Sequence, residues 1–396
     1  MSETIYDAPL DVAMDIAHNV APPKQIIELP ISSASGYVLA TDILAKTAIP
    51  PFAASRVDGY AINGNGPWNL IGKNLAGQVT GIELGLGQCC YVATGAPIPQ
   101  NTFAMLKQED CDVNDSLVSL KPKMSEAKSG ENIRPAGFES AENEVVIKAS
   151  TKLTPALLGL VSACGYDSVM VYEKPTVDVF IFGDELIFQG APTGGQVRDS
   201  IGPQIKAWLE YLGAQLNEMK FIPDELSAHV EAIKNSTADL VLTTGGTASG
   251  PADHLHKAIT QSGGEILIDA VNVRPGYHQL LAQLPNRFLI GLPGNPQSAV
   301  IGLLTLVWPF ITGSTNQTKR VWETRRLATS VTASSNEHKF VLARQLTGPQ
   351  NIGLVEPVAH TDSSMLRGFV DADGYVVITP GGQDINSPVW WISLPK

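Results

Sequence analysis

Charge is scarce in this 396-residue chain: Asp, Glu, Lys and Arg together make up 17% and hydrophobic residues 44%. That balance excludes a disordered or fibrous polymer. Positive charge is the scarcer sign. With 27 Lys and Arg against 39 Asp and Glu, the formal net charge is −12, which argues against a nucleic-acid binder dependent on a strong positive field. Cysteine is rare too. Cys89, Cys90, Cys111 and Cys164 are the whole set, and without a C-x-x-C pair they argue against a zinc site or a disulfide framework. No apolar run reaches the roughly 20 residues needed to cross a bilayer. The longest, Ala299 to Ile311, contains Gly302 and Pro309 and reads as a buried helix. The first twenty residues carry Glu3, Asp7, Asp11 and Asp15 and lack the basic start and apolar centre of a secretory signal, so a cytoplasmic location is expected. Neither G-x-G-x-x-G nor Gly-Lys-Ser/Thr occurs at a strand-to-helix turn.

The length is enough for two or three domains. Leu10, Val12, Ala13, Ile16 and Ala17 recur at helical spacing, with Asp7 or Asp11 expected to begin a helix and Pro22-Pro23 to stop it. Residues 45–139 read as an inserted β-rich domain, with short strands expected at Gln78–Ile82, Cys89–Ala93, Ala104–Leu106 and Leu117–Leu120 between Gly, Pro and Asn. Residues 1–44 and 140–173 would then form a discontinuous N-terminal elongated α+β domain. From 174 to 319 apolar strands alternate with helices: Val177–Phe182, a helical face of Ile205, Trp208, Leu209 and Leu212, then Gln215–Ile222, Pro223–Asn235, Asp239–Thr243, Ala252–Gln261, Glu265–Ile268 and Phe288–Ile290. This pattern predicts an α/β domain with a doubly wound, mostly parallel sheet covered on both faces. Residues 320–396 return to short β segments and read as a small β-barrel or sandwich.

In such a sheet the ligand crevice lies beyond the carboxyl ends of the strands, and three loops qualify. Gly183-Asp184-Glu185-Leu186 places two carboxylates at a strand end, where they suit a magnesium ion or acid–base work, although a capped turn explains them equally well. Thr244-Gly245-Gly246-Thr247-Ala248-Ser249-Gly250, followed by Asp253 and His254, offers N–H groups and hydroxyls to a phosphate at a helix N-terminus. Gly291-Leu292-Pro293-Gly294-Asn295-Pro296 opens the apolar helix, with Asn295 as N-cap and Pro296 in the first turn. Ser55-Arg56-Val57-Asp58-Gly59-Tyr60-Ala61 and Thr94-Gly95-Ala96-Pro97 are further loops that read singly as turns. The seven histidines suggest no Ser-His-Asp or Cys-His arrangement.

As an ordered set these loops, with Ile133-Arg134, resemble the MoeA/gephyrin E-domain family of molybdopterin molybdenumtransferases over essentially the whole chain. The resemblance implies an elongated homodimer of four-domain subunits that inserts molybdate into adenylylated molybdopterin with Mg2+ and releases AMP. It implies that Asp184 and Glu185 hold the metal or polarise the attacking group, with Asp239 nearby and Asp58 of the partner subunit reaching in. It assigns substrate binding to Thr94, Gly245, Gly246, Ser249, Gly250, Asp253, Arg274, Pro293 and Asn295, and oxyanion contacts to Arg344 and Ser363. A molybdopterin adenylyltransferase or a molybdoenzyme is the expected protein partner; nucleic acid and membrane are not. The chain departs from the family pattern at Phe182, where Thr is frequent, and at Ile201, where Asn is frequent. It departs again at Arg274-Pro275-Gly276-Tyr277-His278 in place of Lys-Pro-Gly-Lys-Pro, so that Tyr277 stands where a cation is expected. The alternative these departures open is a non-catalytic relative that binds molybdopterin or the mature cofactor, or acts as a scaffold. A nucleotide-dependent enzyme on a doubly wound sheet is the third reading, opposed by the missing nucleotide fingerprint.

Overall fold

The computed structural model describes residues 4–78, 81–247, 254–319 and 321–395. The chain forms two compact units: residues 28–171, and residues 1–27 together with 172–396.

Residues 28–171 are β-rich. Their largest sheet runs Cys111–Asn114, Leu117–Leu120, Trp68–Asn74, Gln88–Val92, Gly59–Asn63, Ala104–Lys107 in spatial order. Strand alternation splits its apolar residues between two faces. Tyr60, Ile62, Trp68, Cys89 and Leu106 pack on one side; Ala61, Cys90, Val92 and Met105 pack on the other. All four cysteines are buried thiols, and burial pushes the Cys89 pKa up to about 12, so they serve as small apolar groups. The strand expected at Gln78–Ile82 does not form in its described residues, because Gly77 and Gly81 turn the chain at positive φ.

The other unit carries the α/β sheet. Its elements in chain order are β1 (Ile5–Ala8), α1 (Leu10–Val20), β2 (Thr176–Phe182), α2 (Gly202–Leu212), β3 (Gln215–Ile222), α3 (Leu226–Asn235), β4 (Leu240–Thr244) and α4 (Leu255–Gln261). They continue with β5 (Glu265–Val271), β6 (Val273–Arg274), β7 (Leu280–Leu284) and β8 (Arg287–Leu292), then α5 (Pro296–Ser314). The sheet order is β1-β5-β7-β8-β4-β2-β3, and only β7 runs antiparallel to its neighbours. The alternation within β2 shows how the two faces are covered. Val177, Val179 and Ile181 join the cluster with α1, α2 and α5, whereas Phe180 and Phe182 join that of α3 and α4. Asp178, 1% exposed, is tolerated in this strand because Asn217 and Ser236 donate to its two oxygens at 2.7 and 2.6 Å.

Three expectations need correction. The strand β1 precedes α1, and neither Asp7 nor Asp11 caps the helix: Pro9 is the N-cap residue, with no side-chain bond. The antiparallel strand β7 breaks the simple strand–helix alternation. Asn295 does occupy the N-cap position of α5, but its side chain makes no capping bond. The helix α5 is long and apolar enough to cross a membrane by length and composition, yet 89% of it is buried within the protein, which identifies it as a core helix. Its middle turn, Leu303–Val307, is a π-helix. Pro309 supplies no N–H to the ladder, and the register widens in the turn before it.

The C-terminal sheet comprises β6 with β9 (Glu323–Leu327), β10 (His338–Gln345), β11 (Leu354–Pro357), β12 (Gly374–Ile378) and β13 (Pro388–Ser393). The order β6-β10-β11-β9-β13-β12, with β10 also paired to β12, closes it into a barrel. Leu327, Val341, Val355, Val376 and Trp391 fill its interior.

Candidate active site

The carboxyl ends of β2, β4 and β8 gather the three loops singled out in the sequence. Gly245 donates its N–H to the Leu292 carbonyl at 2.9 Å, tying the β4 loop to the end of β8. Gly245 and Gly246 have φ of 84° and 68°, and a Cβ on either would lie 3.2 Å from Phe182, at its carbonyl oxygen and ring respectively. The glycines are therefore required by both the left-handed turn and the crowding from β2. Asp184 and Glu185 are exposed just beyond, and Asp184 Oδ1 accepts from the Asp224 N–H at 3.2 Å. Ser249, Gly250 and Asp253 lie outside the described residues.

Phe182, buried at the end of β2, stacks on His229 with centroids 3.8 Å apart and planes 11° from parallel. An aromatic ring here fills the space between β2 and α3 with apolar surface, where a hydroxyl would need a partner.

A cleft of about 320 Å³ opens beside the β8–α5 turn, lined by Arg274, Tyr277, His278, Pro293, Asn295, Lys339 and Ser363 among others. Asn295 Nδ2 donates to Ser363 Oγ at 3.2 Å, so this side chain joins two walls instead of capping α5. Gln297, fully buried, fixes the 360–365 loop. Its Nε2 donates to the carbonyls of His360, Asp362 and Met365 at 3.3, 2.8 and 2.6 Å, and its N–H to that of Ser363 at 3.0 Å. Replacing Gln297 by Leu leaves the first three carbonyls without their side-chain donor, at a cost of about 2 kcal/mol. The expected result is a lower melting temperature and faster hydrogen exchange confined to the 360–365 segment.

Tyr277 has a partner that the sequence does not indicate. Its hydroxyl donates to Asp7 Oδ1, and this bond to a carboxylate holds its pKa above the usual tyrosine value. Arg274 Nε is bound by both oxygens of Glu337 at 3.1 and 3.0 Å, and its guanidinium sits 5.4 Å from the Tyr277 ring centroid.

Two other expected residues of the α/β and barrel unit, Asp239 and Arg344, are not brought to this place. Asp239 precedes β4, at the opposite end of the strand from Gly245, and is bound by Lys24 Nζ at 2.9 Å and by Thr176 N and Oγ1 at 2.7 and 2.8 Å. Burial would raise its pKa, but the Thr176 N–H, Lys24 and the Thr176 hydroxyl outweigh that and leave it lowered. Arg344 is paired with Glu356, its Nε at 2.7 Å, and does not line the cleft. Asp58 and Thr94, both in residues 28–171, meet each other: Asp58 Oδ1 accepts from Thr94 N at 2.7 Å and Thr94 Oγ1 at 2.9 Å, which lowers the Asp58 pKa. Lys339, Gln297, Asp7 and Glu337 are the site residues that sequence reading missed. Lys339 lines the cleft, and Asp7, Glu337 and Gln297 bind the lining residues Tyr277, Arg274 and Asp362.

Among the described residues no group of three or more His, Cys, Asp or Glu side chains is placed to hold a metal. Two adjacent exposed carboxylates nevertheless fit Mg2+, which takes one or two carboxylates and completes its shell with water and substrate phosphate.

A mostly parallel sheet with ligand loops at its carboxyl ends, in one chain with a closed β-barrel and a β-rich unit, defines a multidomain protein built around a molybdopterin-binding-like α/β fold. Residues 8–165 match the family model of the MoeA N-terminal region (domain I and II), 178–313 that of a probable molybdopterin binding domain, and 324–387 that of the MoeA C-terminal region (domain IV). A molybdopterin molybdenumtransferase of Haemophilus influenzae is 31% identical over 297 residues, 73% of each chain. One from Staphylococcus epidermidis is 30% identical over 298 residues, 72% of this chain and 70% of that one. A solved molybdopterin biosynthesis MoeA protein from Pyrococcus horikoshii superposes over 99% of both chains at a TM-score of 0.75 and 25% identity. A second, at 0.79 and 21% identity over 98% of this chain and 100% of that one, speaks for the fold. The chain belongs to the molybdopterin molybdenumtransferase family, and is an enzyme of the transferase class.

Proposed function

We propose that this transferase of molybdenum cofactor biosynthesis inserts molybdate into adenylylated molybdopterin and releases AMP. The observation that carries the reading is the meeting of three glycine loops at the carboxyl ends of β2, β4 and β8 with two exposed carboxylates beside them. Cleaving a phosphoanhydride requires charge neutralisation and placement of the oxygen nucleophile more than covalent catalysis, and these loops offer N–H groups for the first. Mg2+, held by Asp184 and Glu185, would supply further positive charge to the phosphate oxygens. Asp184 is oriented by its bond from Asp224, and Glu185 is free to meet the reacting phosphate from solvent. The Arg274–Lys339–Ser363 cleft supplies donors for the tetrahedral oxyanion. A homodimer in the cytoplasm, receiving its substrate from a molybdopterin adenylyltransferase and passing its product to a molybdoenzyme, completes the proposal.

The test is the purified chain with adenylylated molybdopterin, magnesium and molybdate. Stoichiometric AMP and a product able to activate an apo-molybdoenzyme are expected, and chelation of magnesium abolishes both. Tight pterin binding with no AMP under any of these conditions would instead establish the non-catalytic reading.

A further inference from the structure

We infer that Lys339 is the principal oxyanion-binding cation of the cleft, occupying in space the role that position 277 does not fill. The inference rests on the molybdenumtransferase reading and names the residue through which this chain meets molybdate.

Lys339, on the barrel strand β10, lines both the cleft and the adjoining pocket that holds Thr332 and Glu337. β6 and β10 pair in parallel, and the register sets Arg274 opposite Lys339, so two cations far apart in sequence come to one wall. Their charges are not equally available. Arg274 Nε is gripped by both Glu337 oxygens, so most of its charge is already compensated. Lys339 has no ion pair among the described residues; its Nζ donates to the Thr332 carbonyl at 3.0 Å, leaving two N–H directions for a ligand. It is half-buried, which strengthens its interaction with an anion relative to a fully solvated ammonium. Asn295, Ser363 and His278 also line the cleft; the Ser363 hydroxyl donates to Asp362 and accepts from Asn295, so the second N–H of the Asn295 amide is the spare neutral donor. Tyr277 is committed to Asp7 and presents no positive charge. Asp362 also lines the cleft, but Gln297 holds its carbonyl, and its carboxylate accepts from Ser363 Oγ and from Ser364 N and Oγ at 3.3–3.4 Å. An ammonium with spare donors, in a cleft that also holds an amide donor, suits a small tetrahedral dianion.

The experiment uses the full-length protein in four forms: unaltered, Lys339→Met, Lys339→Arg, and the double variant Lys339→Met/Tyr277→Lys. Lys206→Met, on the solvent face of α2, controls for loss of surface charge. Molybdate is titrated calorimetrically in the presence of the pterin nucleotide, and KM for molybdate is measured separately from kcat for AMP release. Lys339→Met is expected to weaken molybdate binding by about tenfold or more, raising KM with little change in melting temperature. Lys339→Arg retains most of the affinity, and Tyr277→Lys restores part of what Lys339→Met removes. If the unaltered protein turns over and Lys339→Met binds molybdate as Lys206→Met does, the inference is overturned while the function stands. If the unaltered protein neither binds molybdate nor releases AMP, both fall.

Discussion

Substituting Glu185 by Gln is expected to slow AMP release by about 10²- to 10³-fold while adenylylated molybdopterin binds with near-unchanged affinity. The carboxamide keeps the size of the side chain and one acceptor oxygen but removes the negative charge that a divalent cation or a proton would require. Binding should survive, because in the proposed reading the phosphate contacts would come from backbone N–H groups of the glycine loops and from the cleft cations, for which the Glu185 carboxylate is not required. The backbone is also secure: the Glu185 carbonyl accepts from the Val197 N–H at 2.9 Å whatever the side chain. Asp184→Asn has a smaller expected effect on the fold than Asp184→Ala, since an amide oxygen can still accept from the Asp224 N–H. Single-turnover AMP release alongside a fluorescence titration of the pterin separates the two quantities. A Glu185→Gln protein with full turnover would remove the carboxylate from the chemistry altogether.

Sequence reading found the loops and missed most of their partners, and the reason is geometric. Gly183–Leu186, the Gly245-Gly246 turn after Thr244 and Pro293–Asn295 are legible because each follows an apolar strand directly. Strand-to-loop transitions of this kind leave a local signal. Asp239 misled for the same reason in reverse. It stands only a few positions before Gly245, but those between are an extended strand rising about 3.3 Å per residue, so it ends up roughly 20 Å away at the amino end, bound to Lys24 and Thr176. Lys339 and Asp7 carry no local signal at all. Lys339 is brought to Arg274 by the β6–β10 pairing. Asp7 is brought to Tyr277 by β1, which joins the sheet beside β5 from the far end of the chain. The position that looked most deficient in the sequence, Tyr277, is thus a hydrogen-bonded member of the site, and the positive charge comes from another strand.

Gly313→Ala is expected to be among the most destabilising single substitutions in this unit, by about 3 kcal/mol, although it adds one methyl group. Gly313 lies in the last turn of α5 where α1 crosses it, and a Cβ there would overlap the His18 carbonyl oxygen. That obstacle is backbone, so no rotamer change relieves it; α1 must move as a body. The helix is held close by small residues, Ala13, Ala17 and Ala21, which sit with Leu10 in the main core, and a shift opens gaps along that whole face. For a unit of this size the melting temperature should fall by roughly 6–12 °C. Two further glycines separate steric overlap from helix propensity. Gly302→Ala collides with the end of the Leu292 side chain, which can turn aside, so its cost is smaller. Gly159→Ala, in the helix Pro155–Ala163 with nothing within 4 Å of the added carbon, should be neutral or stabilising by about 0.5–1 kcal/mol. The same displacement reaches the cleft, because Asp7, which holds Tyr277, closely precedes the start of α1 at Pro9. Thermal denaturation of the three variants, with the KM for molybdate of Gly313→Ala measured well below its melting temperature, tests both parts. Equal melting temperatures for Gly313→Ala and Gly302→Ala would show that α1 is not held against α5 by backbone contact.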